Sequence, residues 1–432
     1  MQVLKISILF TLISAGLILF ILFGLSAFAE NSLQSIGFET RFFKENVGSI
    51  VLGGFCLAFI SLLTNLSATF QRTVIPNLIL NLGIKFIFPL MILGVYFQWL
   101  PAYSLKHIIS AYYIFALLAL VYYVYRLNGF ADFFREKISL FKLPKSVINF
   151  TLISGFTGLA NLLVNKLDII ALAGLGTMED IGKYSIIFFI ASFIEIPMAG
   201  ISSISAPIIA KHFEKHELSE LNELLKKVSD TLFLSGVFLF TMILSVFQHL
   251  GELSGHVELF EKGITVFYIL GIAKLIDMVT SLNNQAISYS KSYHYNLYFV
   301  IISAISNVFL SYFLTKHMGI VGTAWSILIS IVLFNSLKFL LLRFKYDLNP
   351  FSYKTLKIAL LFFIQWFVLQ FIRVEIHPIL SILVNGGIGL ISFLILLKWI
   401  NPLPEWNDKL FSKDGILRNL LNIPYIRKNL GL

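Results

Sequence analysis

About twelve long apolar segments, each of roughly 20 to 25 residues, follow one another along this chain and are joined by short loops. An apolar run of about 18 residues or more can cross the roughly 30 Å hydrocarbon layer of a membrane as a helix. Inside lipid, a helix is almost the only local structure that satisfies every backbone hydrogen-bonding group. We therefore predict an all-α polytopic membrane protein with very little soluble part, which excludes most classes of soluble enzyme.

The first apolar run is predicted to remain in the protein as a helix, because it is longer than the 7 to 15 residues typical of a signal peptide. The predicted spans are 6–29, 46–70, 75–100, 104–127, 146–175, 181–210, 228–249, 262–290, 293–315, 319–342, 354–373 and 377–399.

The composition agrees with a membrane protein, since 57% of the 432 residues are hydrophobic and only 13% are charged. The mean hydropathy is +0.85. The net charge of +10 is explained by Lys and Arg in cytoplasmic loops rather than by nucleic-acid binding. Cys56 is the single cysteine, which excludes an internal disulfide, and the eight histidines lack ligand-like spacing. No metal and no cofactor are predicted.

Positive charges alternate between loops and so predict the orientation. Lys and Arg concentrate in 128–145, in the loop that follows residue 210, around Lys291 and in the C-terminal tail, whereas 250–261 is acidic. The positive-inside rule places the basic loops and both termini in the cytoplasm. The predicted parts are a four-helix bundle at 1–127, a cytoplasmic linker at 128–145, a six-helix bundle at 146–345, an additional helix pair at 346–400 and a cytoplasmic tail at 401–432.

A weak internal repeat relates the two bundles. When the chain is shifted by about 216 residues, Leu63–Leu66 aligns with Val279–Leu282, and each copy is followed by a turn with a basic residue, Arg72 or Lys291. The same shift leaves the first bundle with four helices against six. We expect about seventy residues with two helices to be missing upstream, through truncation or a misassigned start codon; the alternative is that four helices suffice.

Three stretches carry a resemblance to a known family. The first covers 150–210, with Asn-Lys-Leu-Asp at 165–168 and Ile-Gly-Lys-Tyr at 181–184. The second is 318–324, which reads Met-Gly-Ile-Val-Gly-Thr-Ala, and the third is the helix pair at 354–399. Together they resemble the lipid-linked oligosaccharide flippases, the polysaccharide-exporter branch of the multidrug/oligosaccharidyl-lipid/polysaccharide exporter superfamily.

The resemblance implies two six-helix bundles around a central cavity, plus two peripheral helices, in the bacterial inner membrane. It implies alternating-access flipping of undecaprenyl-diphosphate-linked oligosaccharide repeat units for surface polysaccharide or lipopolysaccharide biosynthesis. Polysaccharide polymerases and glycosyltransferases would be the partners. The missing first helix pair is the departure from the family pattern, and it bears on whether the chain as given transports anything.

Ionisable residues at membrane depth are costly and usually face a polar cavity or a partner. Six fall inside the predicted spans, and these are Lys85, Lys166, Asp168, Glu195, Lys274 and Asp277. Lys274 and Asp277 are three residues apart and share a helix face. Arg72 lies at the inner mouth, and Asn283 and Asn284 lie on the inner half of their helix.

Two readings of these residues remain open. In the functional reading, lysines in a cavity wall neutralise a diphosphate, asparagines bind sugar hydroxyls, and the carboxylates balance charge or carry a coupling proton or sodium ion. In the structural reading, the charges form ion pairs between packed helices, with Lys274 bound to Asp277. Both the flippase and a cation-coupled multidrug exporter of the same fold fit an all-helical chain without an enzyme site. A polymerase or glycosyltransferase fits less well, because it would need a larger outer loop.

Overall fold

The computed structural model describes residue 16 and residues 40–411, except for 71, 73, 102, 128–148, 150–152, 159, 162–165, 372–373 and 375–376. The chain divides into two compact units, Met1–Val147 and Ile148–Leu432. Every described secondary-structure element is a helix, which confirms the predicted fold class. The predicted span 6–29 and the linker 128–145 lie outside the described residues, and the five-part division stays a prediction.

The helices of the first unit match three predicted spans. Its elements are α1 (Thr40–Thr69), α2 (Val74–Asn77), a π-helical turn (Leu78–Gly83), α3 (Ile84–Tyr96) and α4 (Ser104–Arg126). The predicted span 75–100 is therefore built from three consecutive pieces. The long helices α1 and α4 pack together through a small core that includes Ile60 and Leu120, both fully buried.

The described residues of the second unit contain a helical stretch at 153–158 and 160–161 and ten further α-helices. They are α5 (Leu167–Leu175), α6 (Met178–Ala191), α7 (Ile196–Glu214), α8 (Leu218–Ser254), α9 (Val257–Val279), α10 (Leu282–Tyr289), α11 (His294–Tyr346), α12 (Tyr353–Phe371), α13 (Pro378–Ile400) and α14 (Pro404–Phe411). Six continuous helical stretches in the described residues of the whole chain are long and apolar enough to cross a membrane, or seven if α9 and α10 form one bent span.

Helix α11 is two antiparallel spans rather than one. A straight helix of its 53 residues would be about 80 Å long, far more than a membrane requires. Gly319 breaks it with φ 56° and ψ −137°, a conformation that only glycine adopts readily. Across the break, the hydroxyl groups of Thr315 and Thr323 lie 2.9 Å apart, and those of Ser311 and Ser326 also lie 2.9 Å apart. The two predicted spans 293–315 and 319–342 are therefore confirmed as a tight hairpin.

Two other spans are interrupted where polar residues meet the interior. A 3-10 segment, Ser192–Glu195, separates α6 from α7 just before Pro197, which cannot donate a backbone hydrogen bond. The chain also bends by 40° between α9 and α10. At this bend the hydroxyl of Thr280 donates a hydrogen bond of 2.8 Å to the carbonyl of Ile276. Thr64, which aligns with Thr280 in the internal repeat, donates in the same way to Ile60, but α1 continues past it.

The core of the second unit is aromatic and centres on α8 and α9. The ring of Phe267 stacks on Phe240 and on Phe247, with centroids 5.4 Å and 4.6 Å apart. Helices α12 and α13 pack on α8 through further ring contacts, such as Phe238 with Phe393. The start of α12 is fixed by a buried carboxylate, because Asp230 of α8 accepts hydrogen bonds of 2.6 Å from the hydroxyls of Ser352 and Thr355. The additional helix pair is therefore an integral part of this unit.

The outward surfaces of the helices are apolar, as expected for contact with lipid. Phe115 on α4, Phe309 on α11 and Ile391 on α13 are each at least 60% exposed. Buried positions in the second unit include many polar residues, among them Asn307, Ser326 and Gln365. An apolar outer surface together with many buried polar residues agrees with a multi-pass membrane protein.

Two predicted connections need correction or completion. The predicted outer loop 250–261 is wrong in length, because α8 ends at Ser254 and α9 begins at Val257. Gly255 makes this turn with φ 73°. The C-terminal tail begins as α14, where the carboxyl of Glu405 lies 3.1 Å from the ammonium of Lys227. This hydrogen bond and the lysine charge lower the pKa of the Glu405 carboxyl. Residues 412–432 lie outside the described part.

Candidate functional site

A cavity of about 560 Å³ opens inside the second unit, at the point where its helices are interrupted. The start of α5, the 3-10 segment between α6 and α7, the end of α9 and both arms of α11 contribute to its wall. Most of the lining residues are polar. Its charged residues are Lys166, Asp168, Glu195, Lys274, Asp277 and Lys338.

Lys274 and Glu195 form an ion pair across this cavity. The ammonium Nζ of Lys274 lies 2.9 Å from Oε2 of Glu195, and the two side chains are 11% and 20% exposed. The same ammonium lies 5.0 Å from the centroid of the Phe188 ring, within range of a cation–π interaction. The interrupted helix is what places Glu195 here, because the carboxylate ends the 3-10 segment that faces α9. The sequence had suggested Asp277 as the partner of Lys274, and the structure corrects this to Glu195.

Asp168 is held by a tyrosine that the sequence motif had only marked as a helix start. The Asp168 side chain is 2% exposed, and its Oδ2 accepts a hydrogen bond of 2.8 Å from the hydroxyl of the fully buried Tyr184. The connection between α5 and α6 fixes this contact. Thr177 accepts a hydrogen bond from the amide of Asp180, and Asp180 accepts one from the amide of Thr177, which is a capping box.

Asp277 faces the second arm of α11, where a cation that sequence reasoning missed is buried. Its Oδ1 accepts a hydrogen bond of 3.1 Å from Nδ2 of Asn335. Lys338, which lies one turn further along the same arm, is 4% exposed and interacts electrostatically with Asp277. Its ammonium lies 3.4 Å from the centroid of the Phe334 ring. Lys338 falls four residues before the end of the predicted span 319–342, so its predicted depth did not mark it as buried.

Several polar atoms around the cavity have no hydrogen-bond partner among the described residues. They are Oδ1 of Asp168, Oγ of Ser281, Oε1 of Gln285 and Oγ of Ser330, and each belongs to a lining residue. A buried polar atom without a partner is costly, so such atoms usually bind water or a ligand.

The residues selected from the sequence do not all converge. Lys166, Asp168, Glu195, Lys274, Asp277 and Asn284 line the cavity. Asn283 does not line it; the side chain is fully buried nearby, and neither of its amide atoms has a partner among the described residues. Arg72 and Lys85 belong to the first unit. Arg72 follows the end of α1 and is exposed. Lys85 lies on α3, and its side chain is outside the described part.

The cavity wall combines charged and polar side chains that can bind a polar group. Three lysines face three carboxylates, so the formal charges of the lining residues cancel. Within the part of the chain that the structure describes, no group of three or more His, Cys, Asp or Glu side chains could hold a metal ion. The cavity can exchange one ionic or hydrogen-bonding partner for another, and it can hold a polar or anionic group away from lipid.

Comparison with known proteins shows a shared fold without sequence relatives. No family model matches the sequence, and no curated protein matches it. A structure of the lipid II flippase MurJ in an inward closed conformation aligns with a TM-score of 0.59 and 13% identity, covering 92% of this chain and 82% of that one. A MATE structure aligns with a TM-score of 0.55 and 13% identity, covering 80% of this chain and 77% of that one. The protein therefore has the fold of these helical membrane proteins.

Proposed function

We propose that this protein is a flippase that moves undecaprenyl-diphosphate-linked oligosaccharide repeat units across the bacterial inner membrane by alternating access. The polar cavity of the second unit carries the proposal, because it presents three lysines inside a bundle whose outer surface is apolar. The fold, similar to that of a lipid II flippase, supports it. The proposed orientation has both termini in the cytoplasm, and the proposed partners are polysaccharide polymerases and glycosyltransferases.

The diphosphate group determines what the cavity must supply. It carries at least two negative charges, which would be strongly disfavoured in a low-dielectric region without cations nearby. Lys166, Lys274 and Lys338 can supply positive charge, while polar side chains of the wall such as Asn284 and Ser202 can bind sugar hydroxyls. The polyprenyl chain would remain in the lipid, alongside the apolar outer faces of the helices.

A multidrug exporter of the same fold is the alternative that the sequence left open. Its cavity would be expected to be more acidic and aromatic, in order to bind organic cations. The described cavity instead balances its carboxylates with lysines and is lined by serines, asparagines and a glutamine. The additional helix pair, which packs into the second unit, is typical of the polysaccharide branch that the sequence resembles.

Lys274→Ala should abolish export while the protein still inserts and accumulates, because the substrate would lose a cation at the centre of the wall. Lys274→Arg should keep part of the activity, since a diphosphate requires positive charge more than one geometry. Complementation of a flippase-deficient strain, with membrane protein amounts measured in parallel, provides the test. Lys183→Ala is a matched control, because Lys183 pairs with Glu179 at the exposed end of α6.

The double variant Lys274→Ala with Glu195→Ala separates the two readings of the ion pair. If Lys274 only neutralises Glu195, removal of both charges restores abundance and export, because no lone buried charge remains. Recovery of export by this double variant would contradict the cavity assignment. Normal abundance without export supports it.

A further inference from the structure

Lys274, the proposed phosphate-binding cation, already forms an ion pair with a carboxylate in the structure. Nζ of Lys274 lies 2.9 Å from the Glu195 carboxylate and 5.0 Å from the centroid of the Phe188 ring. Both partners are largely removed from bulk solvent. A partly buried ion pair of this kind is screened much less than one on a protein surface. Any anion that approaches Lys274 therefore also approaches the carboxylate of Glu195.

A phosphate and an ionised Glu195 cannot both lie next to Lys274 at low cost. Two like charges a few ångströms apart repel each other strongly at the effective dielectric constant of a protein interior. The common solution for two acidic groups that share one site is that one of them takes up a proton. The Glu195 side chain is 20% exposed and so can exchange a proton with water.

We infer that Glu195 is an exchangeable counter-ion, which takes up one proton from cavity water when the substrate phosphate replaces it at Lys274. This inference rests on the proposed function and adds a coupling step to it. On release of the phosphate, Glu195 returns the proton to water and pairs with Lys274 again. Glu195 is thus a positioning residue that acts through Lys274. The only bond that changes is the O–H bond of the Glu195 carboxyl group, whose proton comes from a hydronium ion or a buffer acid through cavity water and returns to water when the phosphate leaves.

The other charged groups around the cavity are arranged so that Glu195 is the carboxylate affected. Asp277 lies on α9 beside Lys338 of α11, and Asp168 of α5 accepts the hydrogen bond of Tyr184 from α6. Lys166 lies at the start of α5. The stretches of α8 between Thr231 and Phe247 and of α7 between Ile196 and Ala210 contain no titratable residue.

Binding of farnesyl diphosphate to the full chain in lipid nanodiscs tests the exchange. For the natural sequence, affinity should fall as the pH rises from about 6 to about 8, by up to tenfold per pH unit for one linked proton. The ligand itself works in the opposite direction, because its last ionisation, with a pKa of about 6, adds negative charge as the pH rises. Glu195→Gln should bind at least about tenfold more tightly than the natural sequence at about pH 8, and its affinity should no longer fall with pH.

Two further variants make the result specific. Glu179 lies in the same membrane span as Glu195 but pairs with Lys183 outside the cavity. The Glu179→Gln variant should therefore keep the pH dependence of binding. Glu195→Asp retains a carboxylate at this position and should also keep the pH dependence of binding. If Glu195→Gln does not accumulate, two measurements on the natural sequence decide the question. These are the pH dependence of its binding and its proton uptake when ligand is added in weak buffer.

The outcomes distinguish this inference from the proposed function. Binding that is independent of pH in the natural sequence, or that is unchanged or weaker in Glu195→Gln, overturns the exchange but leaves the flippase proposal standing. Failure of the natural sequence to bind farnesyl diphosphate at any pH, or binding unaffected by Lys274→Ala, overturns both. Tight, pH-independent binding by Glu195→Gln that Lys274→Ala abolishes supports both.

Discussion

At the residue scale, the hydrogen bond from Tyr184 to Asp168 stabilises a buried carboxylate and links two helices of this site. The carboxylate is buried, and its second oxygen has no partner among the described residues. The tyrosine therefore supplies the one described side-chain hydrogen bond that stabilises it and joins α5 to α6.

Tyr184→Phe should lower the stability of the protein by about 1–3 kcal/mol, because it leaves a buried carboxylate without its hydroxyl donor. The melting temperature in detergent measures this effect. Tyr298→Phe is the matched control, since Tyr298 is 55% exposed on α11 and should change the melting temperature little. Equal melting temperatures for both variants would show that the bond contributes nothing.

At this scale the sequence identified most of the charged wall but not its pairing. Membrane depth alone selected five of the six charged lining residues, because a charge in a long apolar run is rarely there by chance. Lys338 was missed, since a lysine near a span end usually reaches the interface by snorkelling. The partner of Lys274 was also missed, because Glu195 lies 79 positions away and periodicity describes only neighbours along one helix.

The hairpin within α11 depends on two glycines with different roles. Gly319 supplies the backbone conformation of the turn. Gly322 supplies space, because a Cβ atom there would lie 2.0 Å from the carbonyl oxygen of Leu314 and 3.0 Å from the amide nitrogen of Thr315. Backbone atoms cannot move aside as a flexible side chain can.

Gly322→Ala should therefore destabilise the protein by more than about 2 kcal/mol, by forcing the two arms of α11 apart. Gly387→Ala on α13 is the control, because nothing lies within 4 Å of the added Cβ atom. It should be neutral or stabilising by up to about 1 kcal/mol, as alanine favours helix over glycine. Thermal unfolding of both variants checks this, and a stable Gly322→Ala would contradict the close approach.

Among the helices, span lengths were predictable and interruptions were only partly so. Spans such as 104–127 and 377–399 end within a residue or two of the observed helices, because hydrophobic runs must match membrane thickness. Pro197 gave a local signal for the break before α7. The bend between α9 and α10 gave none, because the aligned Thr64 makes the same hydrogen bond as Thr280 and α1 nevertheless continues past it. The stretch 318–324 was noticed as a motif, and the structure supplies its physical reason.

The orientation of the molecule in the membrane is predicted from its charge asymmetry and can be tested at described turns. With Cys56 replaced by Ser, a cysteine at His256 should be labelled by an impermeant thiol reagent on intact cells, and one at Lys215 should not. Both positions are exposed in the structure, so accessibility within the protein does not separate them. Labelling of Lys215→Cys together with protection of His256→Cys would reverse the proposed topology.

At the level of the molecule, the sequence predicted the fold class because hydrophobicity alone limits a chain in lipid to helices. It also led to a family of membrane transporters whose general fold the comparisons support. The cavity is assembled from residues of α5, α6, α7, α9, α10 and α11, which are distant in sequence, so no single stretch of the chain encodes its shape.

The balance of three lysines and three carboxylates in the cavity wall has an electrical consequence. The membrane potential does work of about 2.3 kcal/mol on each elementary charge that crosses 100 mV. A wall without net formal charge can reorient empty with no such work, so the potential would act on the cargo alone. A proton carried on Glu195 would remove one negative charge from each loaded passage. The voltage sensitivity of transport would then report the protonation of a single side chain.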